Sequence, residues 1–182
     1  MTVMAMTATG QESGNIRQQD NFDYVVDQFA DLQILRYQVP DFENLSLQRK
    51  QLLFHLSEAA LMGRDILYDQ NCRYNLPIRR TLEAIYMSYK GNRKDVQFTA
   101  LETYLKRVWF ANGIHHHYAE DKFTADFTIE FFKSCVSQLA PEQLPLREGQ
   151  TVGQFLEEII PVIFDSAVLS KRTVQSGDAD LI

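Results

Sequence analysis

The stretch DVQFTALETYLKRVWFANG, Asp95 to Gly113, reads as one complete helix and decides the class of the fold. Asp95 has the short acceptor side chain that satisfies the free amides of a first turn. Behind it Val96, Leu101, Tyr104, Leu105 and Val108 recur at the spacing that gathers apolar side chains on one helical face. Asn112-Gly113 is a helix-ending dipeptide, because both residues tolerate the left-handed backbone that stops a helix. The residues that follow therefore emerge from a helix end.

The same grammar extends in both directions. Towards the N-terminus, Asn75 caps a helix with Pro77 in its first turn, Gly91 as its stop, and Ile78, Leu82, Ile85, Tyr86 and Tyr89 on its buried face. Before it, Ser46 caps a longer helix whose stripe runs through Leu52, Leu53, Leu56, Ala59, Ala60, Gly63, Ile66 and Leu67. Earlier still, Phe22, Val25, Val26, Phe29, Leu32 and Leu35 recur at helical steps up to Pro40, which predicts a first helix. Towards the C-terminus, a helix begins near Thr128 and buries Phe131, Phe132, Cys135, Val136 and Leu139. Thr151-Val152-Gly153-Gln154 forms a capping box for the last one, with Val152, Phe155, Leu156 and Ile159 inward and Pro161 ending or kinking it.

The expected architecture is mainly α, an irregular bundle of about six helices. Residues 1–19 read as a flexible leader, 20–165 as the helical body, and 166–182 as a polar tail of the kind found where a chain continues into a further part. With 182 residues, 45% of them hydrophobic, the default is one core.

Acidic residues outnumber basic ones 24 to 18, giving a formal charge of −6, the reverse of what a phosphate backbone attracts. The basic residues form no stripe, so nucleic acid is not an expected partner. No apolar run approaches the roughly 20 residues that span a bilayer. Met1–Gly10 has neither a basic start nor a long hydrophobic stretch, which suits a cytoplasmic protein; a periplasmic one would need an export signal removed from the front. Cys72 and Cys135 stand apart and read as free thiols.

Chemistry concentrates in Trp109-Phe110-Ala111-Asn112-Gly113-Ile114-His115-His116-His117-Tyr118, which holds three of the four histidines beside the single Trp. Consecutive histidines make poor joint ligands, since neighbours diverge on a helix and alternate on a strand. Only His115 and His117 can converge, from an extended segment. Two readings stay open: a capped helix end whose histidines pack and satisfy backbone groups, or a loop facing a substrate. No His-Glu-x-x-His, Gly-x-Ser-x-Gly, Walker loop or dinucleotide fingerprint occurs. The acidic pairs Glu120-Asp121 and Glu157-Glu158 read as solvated surface.

Ala111-Asn112-Gly113-Ile114-His115-His116-His117-Tyr118, followed by Asp121-Lys122-Phe123, resembles a region of the dipeptidyl peptidase III family of zinc exopeptidases. So do Phe29 to Pro40, Gly63 to Leu67, Tyr89-Lys90-Gly91, Tyr104 to Phe110 and Pro161 to Asp165, especially against Bacteroides-type bacterial members. The resemblance implies the N-terminal part of a two-lobed enzyme that releases dipeptides from peptide N-termini. Zinc would sit on the other lobe, on a helix bearing His-Glu and then Gly-His; this sequence has no His-Glu pair. No zinc is therefore expected in this chain, which alone would be inactive, and its implied partners are a peptide substrate and the missing catalytic lobe. Animal members carry Asn-x-Gly-Asn-Tyr where Asn112 here directly precedes Gly113 and histidines follow. Asn112, Gly113, His115, His116, His117 and Tyr118 are carried over as a cleft-side or lobe-organising segment, none as a zinc ligand.

The alternatives are a stand-alone helical interaction module and a small metal-binding protein built on the histidine triplet. A lobe without its partner predicts exposed apolar area.

Overall fold

The structure is a computed structural model that describes residues 22–173. The expected leader, 1–19, and the end of the expected tail lie outside the described residues. The chain divides into two compact units, Met1–Gln38 and Val39–Ile182.

The first unit corrects the sequence reading. Its described part holds no helix; Val25–Phe29 (β1) and Leu32–Leu35 (β2) pair antiparallel around a two-residue turn, Ala30-Asp31. Residues at helical spacing can also share a hairpin face when a tight turn lies between them. Here Phe29 faces Leu32 and Asp27 faces Ile34 across the ladder, all four half-buried, while a bulge at Val26 shifts the register. Ala30 takes the left-handed conformation, φ 50°, that the turn demands.

The second unit is mainly α, with helices Leu47–Met62 (α1), Arg64–Asn71 (α2), Asn75–Ser88 (α3), Val96–Ala111 (α4), Ile129–Val136 (α5) and Val152–Phe164 (α6). The caps expected at Ser46, Asp95 and Thr151 are in place: Ser46 and Asp95 each accept a first-turn amide, and Thr151 and Gln154 exchange side-chain to backbone bonds at 3.2 and 3.0 Å; Thr128, expected only as the start of a helix, caps α5 in the same way. Each cap contributes about 1 kcal/mol. Three boundaries differ: Gly63 separates α1 from α2 where one helix was expected, Tyr74 rather than Asn75 occupies the cap of α3, and α3 ends at Ser88 with Tyr89 as its C-cap, before the Gly91 expected as its stop.

Ile78, Leu82 and Ile85 of α3 meet Leu101, Tyr104, Leu105 and Val108 of α4, with Phe132 and Val136 of α5 and Phe155, Ile159 and Ile163 of α6 closing the core. Tyr68 is the one α2 residue that reaches it fully. Pro161 stands inside α6 instead of ending it, and the helix runs on to Phe164. Proline withholds one backbone donor, but the extra turn carries Val162 and Ile163 into the core, which more than offsets that bond.

α1 departs most from expectation. It buries no residue, and Leu52, Leu53, Phe54, Leu56, Leu61 and Met62 are all exposed. Its apolar residues are spread around the whole helix rather than collected on a stripe, so no single face could have docked them all. No helix among the described residues is long and apolar enough to cross a membrane.

Candidate functional site

α4 ends where the dipeptide predicted. Asn112 adopts φ 54°, ψ 41°, and its carbonyl accepts a bond from Asn71 Nδ2 at 3.3 Å. Gly113 follows at φ 153° with its α-carbon pressed on the Asn75 amide; a Cβ there would lie 2.3 Å from Asn75 Nδ2. Only glycine lets the backbone pass this close. Asn75 completes the junction from α3: its Oδ1 accepts the Ile114 amide at 3.0 Å and its Nδ2 donates to the Tyr68 carbonyl at 3.1 Å. A residue read from sequence as a helix cap is thus a buried bridge between three segments.

From this base the chain makes a short hairpin-like loop. His115 pairs with Lys122 in an isolated antiparallel bridge, the Phe123 amide donates to the Ile114 carbonyl at 2.8 Å, and the His116 amide donates to the Asp121 carbonyl at 2.8 Å. Alternation along the loop then sends neighbouring histidines to different environments.

His115 points inward. It is 3% exposed, and its Nε2 lies 2.8 Å from the carbonyl of Leu169, itself in the left-handed conformation at φ 51°. A carbonyl only accepts, so Nε2 carries the ring proton and Nδ1 keeps a lone pair. That Nδ1 is buried with no hydrogen-bond partner. Burial, ahead of any charge, holds this imidazole below its ordinary value.

His116 Nδ1 accepts the amides of Tyr118 and Ala119 at 3.2 and 3.0 Å, closing the loop tip. His117 lies outward: its ring stacks on His116 at 4.5 Å, meets Tyr118 at 4.3 Å and takes the edge of Phe110 at 4.9 Å. Tyr118 is 85% exposed. The six expected residues therefore divide by position. Asn112 and Gly113 build the junction, His115 faces the interior, and His116, His117 and Tyr118 form an aromatic surface. His115 and His117 do not share an environment in which they could hold one ion, and no group of three His, Cys, Asp or Glu side chains with metal-binding geometry occurs among the described residues. Trp109, in the last turn of α4, turns away to donate to Glu83 at 2.8 Å.

Sequence reasoning missed the residues that hold the loop from behind. Lys122 Nζ donates to the carbonyls of Val162, at 3.1 Å, Val168, at 2.6 Å, and Asp165, neutralising the open end of α6. Glu120, read as solvated, accepts from the Thr173 hydroxyl and pairs with Arg172 at 2.9 Å, and the Thr173 bond, then the Arg172 one, lower its carboxyl. Asp121 pairs with Lys171 at 3.1 Å. Residues 166–173, expected as a polar tail, are instead built into the loop's support, and no spacing signal within one helix could have revealed partners so far along the chain.

Between loop, α2–α3 junction and α6 end lies a cavity of about 480 Å³, walled on its polar side by Asn71, Cys72, Arg73, Tyr74, His115 and Arg172. Val162, Val168 and Leu169 supply its apolar side. Burial pushes the Cys72 thiol up, so it is not a ready nucleophile. No family model matches the chain, and no curated protein matches it.

Proposed function

We propose that this chain is the non-metal lobe segment of a cytoplasmic zinc-dependent dipeptidyl peptidase, inactive alone, which supplies substrate cleft and lobe packing. The observation that carries the reading is the exposed ring of Tyr118, with half-buried His117 packed beside it, on a loop whose base is fixed by Asn75 and Lys122. Flat, wet-edged rings on a rigid base give a peptide contact area at small entropic cost. Orientation of this kind affects rate without any contact to the reacting bond.

The zinc that would polarise the scissile carbonyl does not fit this chain. His115 Nε2 is engaged by Leu169, and His116 Nδ1 is engaged by two amides. The metal would belong wholly to the part bearing His-Glu and Gly-His. The gene should therefore be read beyond the Ile182 codon, and the whole encoded protein assayed for dipeptide release with Tyr118→Ala and His117→Ala. A frame that continues into the metal motif, with variants raising KM and leaving zinc content intact, supports the reading. A frame that ends without that motif sinks it.

The alternative, a stand-alone helical interaction module, is favoured by α1, whose exposed leucines and Phe54 surround the helix. It predicts that charge substitutions on α1 abolish association with a protein partner.

A further inference from the structure

We propose that this chain pairs with a second copy of itself through one exposed side of α1 and α2, the two copies running antiparallel about a two-fold axis between Ala59 and Ala60. The inference uses no residue of the histidine loop, so it stands apart from the peptidase reading, and it gives the interaction-module reading a definite partner.

Within the all-round apolar surface of α1 one seam repeats. Leu52, Leu56, Ala59, Gly63 and Ile66 follow at alternating steps of four and three, the spacing by which one helix keeps a seam turned towards another. Leu53, Ala60 and Leu67 flank it at steps of seven. The seam crosses from α1 into α2 because Gly63, at φ −80°, ψ −7°, stays in the right-handed region. Its five large side chains, those of Leu52, Leu53, Leu56, Ile66 and Leu67, are each 44–58% exposed, so the fold itself leaves them open.

The seam is complementary to itself in one orientation. About an axis between Ala59 and Ala60, the small residues meet at the crossing, where two backbones approach closest. Leu56 then faces Gly63 of the second copy and fills the space glycine leaves, while Leu52 faces Leu67 and Leu53 faces Ile66 at the two ends. The same pairing carries Arg49 to Gln70 of the second copy, at the carbonyl end of an α2 that has no basic residue in its last turn. A parallel pair would set Gly63 on Gly63 and Arg49 on Arg49. At about 100 Å² of apolar surface per large side chain, half of it open, and with interfaces a little over half apolar, the pair buries about 1,000 Å² in all. That area marks the lower bound of a specific contact and belongs to a reversible dimer rather than an obligate one. A membrane surface suits the helix less well, since Leu47, Phe54 and Leu61, exposed on the opposite side of α1, stand where a surface-bound helix needs a charged face.

The test is sedimentation equilibrium of the full chain from about 1 to about 500 µM, beside Leu56→Glu at the seam and Phe54→Glu on the opposite side. Both residues are exposed, so neither change endangers the fold. The expected result is a reversible monomer–dimer equilibrium that Phe54→Glu leaves unchanged. Leu56→Glu should weaken it at least about thirtyfold, because two-fold symmetry brings the substitution in twice. In a Cys72→Ser background, Leu52→Cys should oxidise to a covalent dimer only when mixed with Leu67→Cys. A chain that stays monomeric over the whole range overturns the proposal, and its binding to phosphatidylglycerol vesicles would then assign the helix to a membrane surface. Association lost in Phe54→Glu but kept in Leu56→Glu, or oxidation of Leu52→Cys to a dimer by itself, overturns it equally.

Discussion

Asn75 and Ile114, thirty-nine positions apart, are joined by a 3.0 Å bond from the Ile114 amide to the Asn75 side chain, fully buried on the Asn75 side. The same side chain donates to Tyr68, so one amide group satisfies a donor and an acceptor that water cannot reach.

Asn75→Leu should therefore destabilise the chain by about 2–4 kcal/mol, since each orphaned buried group costs about 1–3 kcal/mol. Urea denaturation of the purified chain measures it. A loss under about 1 kcal/mol would show that the two backbone groups find other partners.

Gly113→Ala should be strongly destabilising, because the new methyl meets the Asn75 amide at the same junction. The clash is relieved when Asn75 is shortened, so Gly113→Ala and Asn75→Ala should cost less together than the sum of the two alone. Strict additivity in this double-mutant cycle would mean that the left-handed strain of the glycine, not the contact, sets the penalty.

These two residues also mark what the sequence could disclose. Asn112-Gly113 as a helix stop, the Asp95 cap, the helix start near Thr128 and the Thr151 box are local signals, decided within one turn of chain, and the structure places all of them as expected. The same local logic failed at Val25–Leu35, where the apolar spacing suits a helix and a hairpin equally and the Ala30-Asp31 turn decided between them. It failed again at α1, since an apolar pattern states what a helix could bury and not whether anything covers it. At the site, the histidines were visible as a cluster, but their division into inward and outward rings depends on Leu169, Lys122 and Asn75, whose contacts with the loop span distant positions.

The neutral state of His115 should leave a signature in pH dependence. Its folded pKa is below the ordinary 6.5, chiefly through burial, so the unfolded chain takes up this proton first. The stability that depends on the neutral ring is complete above about 6.5, falls as pH drops through that value, and levels off once the folded ring is also protonated. Chemical denaturation between about pH 8 and about pH 5 should show this slope in the wild type and a shallower one in His115→Gln. Parallel slopes would place the acid sensitivity elsewhere.

Lys122→Met should free the segment that follows α6. Three carbonyls lose their shared donor, so amide hydrogen exchange should accelerate at residues 165–172 with little change in α4. Uniform acceleration across the whole second unit would instead make Lys122 part of the global core.

The support of the loop by Lys122, Leu169 and Arg172 also dictates when it can take shape. Lys122 reaches Val162 across 40 positions, His115 reaches Leu169 across 54, and Glu120 reaches Arg172 across 52. Contacts of such long sequence separation form only after costly loop closure, whereas α4 and its caps close locally and fast. During synthesis from the N-terminus, the histidines leave the ribosome well before the residues that orient them. The loop is consequently among the last parts of this unit to mature, and a nascent chain halted before Leu169 would already hold α4 while presenting His115 without its partner.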